Sequence, residues 1–173
     1  MTSLLRALVV MLSFTACGST ASPPEPTAAT STSSTTVVVT IVPRVEQFAF
    51  VRAIDESGIT YDPATMLTGE AAVDAARADG VLAEGEALPN DYYISNPEPD
   101  EVLAPLDPDG GYVLIGFDGN GALADRLLTL ADLVAVLNGA NTGEFYGIIP
   151  GEVPMILTLE GDTVVAGRQQ YLP

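Results

Sequence analysis

The sequence predicts an α+β domain: an antiparallel sheet or small, partly closed β-barrel of about seven strands with two short helices, behind a disordered N-terminal tether. Three observations carry this. Turn signals recur through the C-terminal part, at Pro150-Gly151 and Glu160-Gly161-Asp162, with β-branched or alternating apolar stretches between them. Two windows instead carry apolar residues at helical spacing with capping residues at their ends. A Ser/Thr/Pro-rich tract precedes everything that can build a core.

The domain begins near residue 43. Val37-Val38-Val39-Thr40-Ile41-Val42 is β-branched and ends at Pro43, so it reads as an edge strand or the end of the tether. Residues 45–54 form a stronger strand. Phe48, Phe50 and Ile54 share one face and Ala49, Val51 and Ala53 the other, and two apolar faces place it centrally. Asp55-Glu56-Ser57-Gly58 turns the chain, Ile59-Thr60-Tyr61 returns, and Asp62-Pro63 stops it. Thr68 is the expected N-cap of the first helix, with Glu70 in its first turn, Gly80 beyond its end, and Ala72, Val73 and Ala76 as a small packing face.

Residues 81–91 read as loop and 92–94 as a short strand, which Asn96-Pro97-Glu98-Pro99-Asp100 interrupts. Residues 102–106 and 112–117 are expected to form a hairpin around Asp107-Pro108-Asp109-Gly110-Gly111, with Pro105 placing the first arm at an edge. Asp118-Gly119-Asn120-Gly121 is a second turn. Thr129 caps the clearest helix, Asp132 stands at N3, and Leu130, Leu133, Val134 and Leu137 follow the i, i+3, i+4, i+7 pattern up to Asn138-Gly139. Residues 144–149, 153–159 and 163–168 complete a meander, with Val153, Met155, Leu157 and Leu159 on one face. The two helices are expected to cover the open side or end of the sheet.

The N-terminus has a different logic. Arg6 follows the free amino terminus, and Ala7-Leu8-Val9-Val10-Met11-Leu12 is an apolar core too short to span a bilayer, so residues 1–16 read as a secretory signal peptide. Its end, Thr15-Ala16-Cys17 followed by Gly18, resembles the lipobox of bacterial lipoproteins, with Phe14 where the pattern usually has Leu. The resemblance covers residues 1–17. It implies cleavage before Cys17 and a thioether-linked diacylglycerol on Cys17, hence a membrane partner through that lipid. Two acyl chains hold a protein stably where one does not. Ordinary secretion is the alternative, since Ala16-Cys17-Gly18 is also a small-x-small site. Residues 18–36 contain eleven Ser or Thr and one charge, so residues 17–42 read as lipidated cysteine plus disordered tether and 43–173 as a single globular domain. As a whole the domain resembles the uncharacterised β-rich domains of secreted bacterial lipoproteins, a likeness that attaches no named family and carries no functional residue.

The chain has 23 acidic residues against six arginines, with no lysine and no histidine. Loss of Arg6 with the signal leaves a net charge of −18. Such a chain does not suit nucleic acid, whose phosphates demand cations. Without His there is no Ser-His-Asp triad or imidazole acid–base chemistry, and without Lys no Schiff base or P-loop lysine. With Cys17 lipidated there is no thiol nucleophile. No cofactor is expected. Carboxylates remain, and the pairs Asp55/Glu56, Asp91/Asp100 and Asp107/Asp109 are the nominees for a hydrolase acting on envelope glycans. All lie at turns, where Asp is expected for its geometry. Asp107-Pro108-Asp109-Gly110 and Asp118-Gly119-Asn120-Gly121 each open like an EF-hand loop, but their twelfth positions are Asp118 and Thr129 rather than Glu, so no metal site is assigned. Repulsion between neighbouring acids is also expected to raise the pKa of one member of a pair, giving greater thermal stability near pH 5 than pH 8 at low salt.

The leading functional reading is a lipoprotein anchored at the outer face of the bacterial cytoplasmic membrane, or secreted if unlipidated. Its non-enzymatic domain binds a protein or cell-wall ligand or serves a structural role. Asp91, Tyr92, Tyr93 and Asn96 are the candidate contact residues, because two tyrosines among amides and an acid suit carbohydrate or protein contact.

Overall fold

The computed structural model describes residues 42–172. The signal segment, Cys17, the tether and residues 37–41 of the β-branched run lie outside the described residues. The domain is α+β, as the sequence predicts. Seven strands form an open sheet in the order β5-β2-β1-β8-β9-β6-β7, and two more form a separate ribbon, β3-β4.

The strands are β1 (Arg44–Asp55), β2 (Gly58–Pro63), β3 (Thr65–Thr68), β4 (Tyr92–Ser95), β5 (Val102–Ala104), β6 (Leu106–Phe117), β7 (Leu123–Leu128), β8 (Val153–Glu160) and β9 (Thr163–Gln169). β1 is interior, as its two apolar faces require, with β2 and β8 antiparallel on either side. A bulge at Arg52 separates the pairs Val51–Tyr61 and Ala53–Thr60. The extra residue moves Ile54 onto the core face with Ala49 and Val51, so it does not share the face of Phe48 and Phe50. β5 is an edge strand, consistent with Pro105 after it.

The expected hairpin over 102–117 does not form. β5 pairs with β2, whereas β6 lies between β9 and β7. Asp107-Pro108-Asp109-Gly110 is a bulged loop between the pairs Leu106–Val164 and Gly111–Ala166, so the turn residues bend a strand locally without reversing it. Asp109 N–H closes on Asp107 Oδ1 at 3.0 Å. The buried Tyr112 ring lies beneath, its hydroxyl donating to Asp107 O at 2.8 Å. A Cβ on Gly110 would stand 2.6 Å from that hydroxyl oxygen and 2.8 Å from Val165 O, so glycine is required there. β6 and β9 run parallel, which makes the sheet mixed. Residues 144–149 are not a strand: a single 3₁₀ turn over Thr142–Glu144 leads to one bridge, Gly116 with Phe145. β7, unassigned in the sequence, closes the far edge.

Two helices pack on different partners. α2 (Leu130–Leu137) covers the core face of the sheet. Thr129 caps it, its Oγ1 accepting from Asp132 N–H at 3.2 Å and donating to Asp132 Oδ2 at 2.7 Å. Leu133, Val136 and Leu137 are buried among Ala49, Tyr112, Leu114, Met155 and Leu157. Removing a Leu side chain such as Leu133 from water is worth roughly 2 kcal/mol. Asn138 Nδ2 ties the helix end to Ile54 O at 3.0 Å. α1 (Gly69–Ala78) packs on the ribbon and not on the open side of the main sheet. Thr68 stands at its N-cap, without a side-chain cap, and Gly80 takes positive φ past its end. Ala72 and Ala76 are fully buried, since a small-residue face lets the helix lie close to the ribbon.

Candidate functional site

The ribbon creates the site. β2 runs beside β1 as far as Pro63, and then Ala64 turns the chain off the sheet into β3. Ala64 N–H still donates to Phe48 O at 3.0 Å, so β1 and β3 diverge from that point as a wedge. Gln47 fills its apex, with Nε2 donating to Phe48 O at 2.7 Å and Ala64 O at 3.1 Å. The resulting groove holds about 480 Å³, and Phe48, Met66 and Ile156 line it together with the polar Glu46, Thr65 and Thr68. A neighbouring groove of about 300 Å³ shares Gln47, Ala64 and Thr65 and runs on past Asn96 and Glu98. An apolar lining with a few placed polar groups is the usual make-up of a binding cleft.

A buried ion pair fixes the back of this region. Asp62 is 2% exposed and accepts from Arg52 Nη2 at 2.7 Å and from Asp100 N–H at 3.2 Å. The Asn96 amide lies close by and adds to the lowering of its pKa. Arg52, placed by the bulge, also donates to Gly151 O at 3.1 Å and stacks over Phe50 at 5.6 Å. The Arg52 hydrogen bond is the main reason the Asp62 carboxyl is held below its ordinary pKa, against the opposing effect of burial. The Asp62–Arg52 pair thus joins β1, β2, the segment after the ribbon and the turn before β8. Gln169 does similar work at the other end, accepting from Ile115 N–H at 2.9 Å and donating to Tyr146 O at 2.7 Å.

The four residues singled out in the sequence meet three different sets of partners. Tyr93 donates to Asp79 Oδ2 at 2.9 Å, tying the ribbon to the end of α1, and that bond raises its own pKa. Tyr92 points to the opposite face and lies near Tyr146. Tyr146 in turn stacks on Tyr171 at 5.0 Å and donates to Leu172 O at 3.2 Å. Asn96 belongs to the Asp62 network and borders the second groove. Asp91 is exposed before β4.

The carboxylates at turns serve the turns. Asp55 Oδ1 accepts from Ser57 Oγ at 2.6 Å, from Ser57 N–H at 2.7 Å and from Gly58 N–H at 3.1 Å, and the Ser57 hydroxyl leads in lowering its pKa. Asp118 Oδ1 accepts from Ala122 and Asn120 N–H, each at 2.8 Å, and its pKa is likewise lowered, Ala122 first. At Asp55 the shift runs downward, because the Ser57 and Gly58 donors hydrogen-bonded to it outweigh any repulsion from an exposed neighbour such as Glu56. Among the described residues no group of three potential ligands is placed to hold a metal ion, and no helix is long and apolar enough to cross a membrane.

Arg52, Asp62 and Gln169 escaped the sequence reading. The one available signal was an arginine inside an otherwise apolar strand, a charge that burial obliges to find a partner. Compared with family models, curated proteins and solved structures, the chain matches none of them, so its functional reading rests on its own residues.

Proposed function

We propose that this is an extracytoplasmic lipoprotein, held by a diacylated Cys17 at the outer face of a bacterial cytoplasmic membrane, whose domain acts by binding. The observation that carries the reading is the order of segments: a positive start, a short apolar core, Thr15-Ala16-Cys17, a tract of Ser, Thr and Pro, then a domain. The tract is long enough as a flexible coil to set the domain roughly 20–25 Å from its anchor.

The setting of three carboxylates speaks against their serving as the acid of a glycan hydrolase. A glycosidase acid must be held protonated by a raised pKa, facing a second carboxylate across a cleft. Asp55, Asp62 and Asp118 are held in the opposite direction by donors that close turns or join strands. The groove between β1 and β3 is the contact face this reading assigns, with Asn96 at the border of its neighbour.

Cys17→Ser tests the anchor. The expected result is loss from the membrane fraction, as soluble protein or uncleaved precursor. An intact mass showing an unlipidated mature chain beginning at Ser19 in the unaltered protein overturns it.

A further inference from the structure

We propose that the groove between β1 and β3 receives residues 37–42 of a second copy of this chain as an added strand. This deepens the reading of that groove as the contact face, and its test needs no lipid anchor.

Both walls of the groove are open strand edges. β1 pairs with β8 from Arg44 to Val51, but β2 reaches it only from Ala49 onward, so residues 44–48 have no strand on that side among those described. Phe48 O points to that side, where it meets Ala64 N–H. Alternation along a strand then directs the N–H and C=O of Glu46 and Arg44 the same way. Gln47 Nε2 serves the Phe48 and Ala64 carbonyls at the apex, and among the described residues no main-chain bond reaches Glu46 from that side. On the far wall β3 pairs with β4 alone. An edge with unpaired main-chain groups is a template for another strand. The apolar lining residues Phe48, Met66 and Ile156 would meet alternate side chains of that strand.

The chain itself carries a suitable occupant. Val37-Val38-Val39-Thr40-Ile41-Val42 is β-branched and uncharged, so it fits a pleated, half-buried site and the acidic domain does not repel it. Six residues extend roughly 20 Å, the length of an ordinary strand. A return of the segment onto its own edge directly at Arg44 would leave Val42-Pro43 as the whole loop of a hairpin. The favoured two-residue turns put their first residue at positive φ, an outlier for valine. Val42 lies beside Gly161, at the β8–β9 turn. The first residues of β1 are thus both the point where the segment leaves the domain and one wall of the groove. A two-fold operator then brings each segment to the partner's groove, a closed, self-complementary exchange.

The test uses the full chain carrying Cys17→Ser, which removes the native thiol. Sedimentation velocity should show a monomer–dimer equilibrium. Val39→Asp, in the segment, and Met66→Asp, in the groove, should each raise the concentration for half-dimerisation at least about tenfold, with the monomer still folded by circular dichroism. Mixing a Val39→Cys chain with a Met66→Cys chain should give a disulfide-linked heterodimer, which a segment folded onto its own domain cannot produce. A chain monomeric into the high-micromolar range, or a dimer indifferent to Val39→Asp, overturns the proposal. So does capture of a foreign extended segment at Met66→Cys by a chain that stays monomeric. None of these outcomes bears on whether Cys17 carries lipid, so the two readings fail separately.

Discussion

Replacing Asp62 should cost more stability than any other single change to a polar side chain in the domain. Asp62→Ala removes an acceptor that is 2% exposed and leaves Asp100 N–H without it. Breaking a buried ion pair from one side typically costs about 3–5 kcal/mol. Arg52 moderates this, because its side chain is 31% exposed and keeps its bond to Gly151 O, so water can reach the orphaned guanidinium. The expected loss is about 2–4 kcal/mol, or roughly 6–16 °C in Tm for a domain of this size. Asp62→Asn keeps an acceptor and should lose about half as much. The same pair gives a signed pH dependence. The Asp62 pKa is lowered by folding, so its contribution is present above the unfolded value near 3.8 and disappears as pH falls through the folded value. Urea melts of the three proteins from pH 7 down to pH 3 check both points. Asp62→Asn should flatten part of the acid loss, leaving the shares of Asp55 and Asp118. A wild-type-like midpoint for Asp62→Ala, or an unchanged acid slope for Asp62→Asn, would refute the argument that this carboxylate ties β1, β2 and the segment after the ribbon together.

Thr129→Ala deletes the reciprocal cap on α2 and should lower stability by about 1 kcal/mol, read from a denaturant midpoint shift at constant m-value. Gly110→Ala places a Cβ against the Tyr112 hydroxyl and Val165 O, and a loss of about 2 kcal/mol or more is expected, in contrast to a near-neutral Gly119→Ala, where the added carbon meets nothing. Tyr112 should stay protonated to high pH, since burial pushes its phenol up to about 12, and an alkaline absorbance titration should show that one group lagging the other tyrosines. Limited proteolysis should cut first between residues 18 and 42 and leave a stable core starting near Val45, and an earlier cut inside 45–172 would move the domain boundary.

The sequence alone determined what local chemistry controls. Thr129 with Asp132 marked the start of α2, Thr68 and Gly80 bracketed α1, and Val153, Met155 and Leu157 were placed on one face of β8. These follow from hydrogen bonds within a few residues and from the period of the apolar positions. Missing His and Lys likewise restricted the chemistry before any coordinate was known. Tertiary structure decided which edges meet. Asp107-Pro108-Asp109-Gly110 satisfies its own hydrogen bonds as readily in a bulge as in a hairpin turn, so local signals could not separate the two. The choice fell to Tyr112, whose ring packs beside Gly167 on β9, where a Cβ would come within 3.6 Å of it. The bulge at Arg52 moved Ile54 across the sheet because one extra residue inverts a two-residue period. Glu46, Met66 and Ile156 share a groove because Ala64 leaves the sheet one residue after Pro63, bringing together positions up to 110 residues apart. Periodicity fixes which way a side chain faces along its own strand. The neighbour it meets across the sheet is set by the packing of the whole domain.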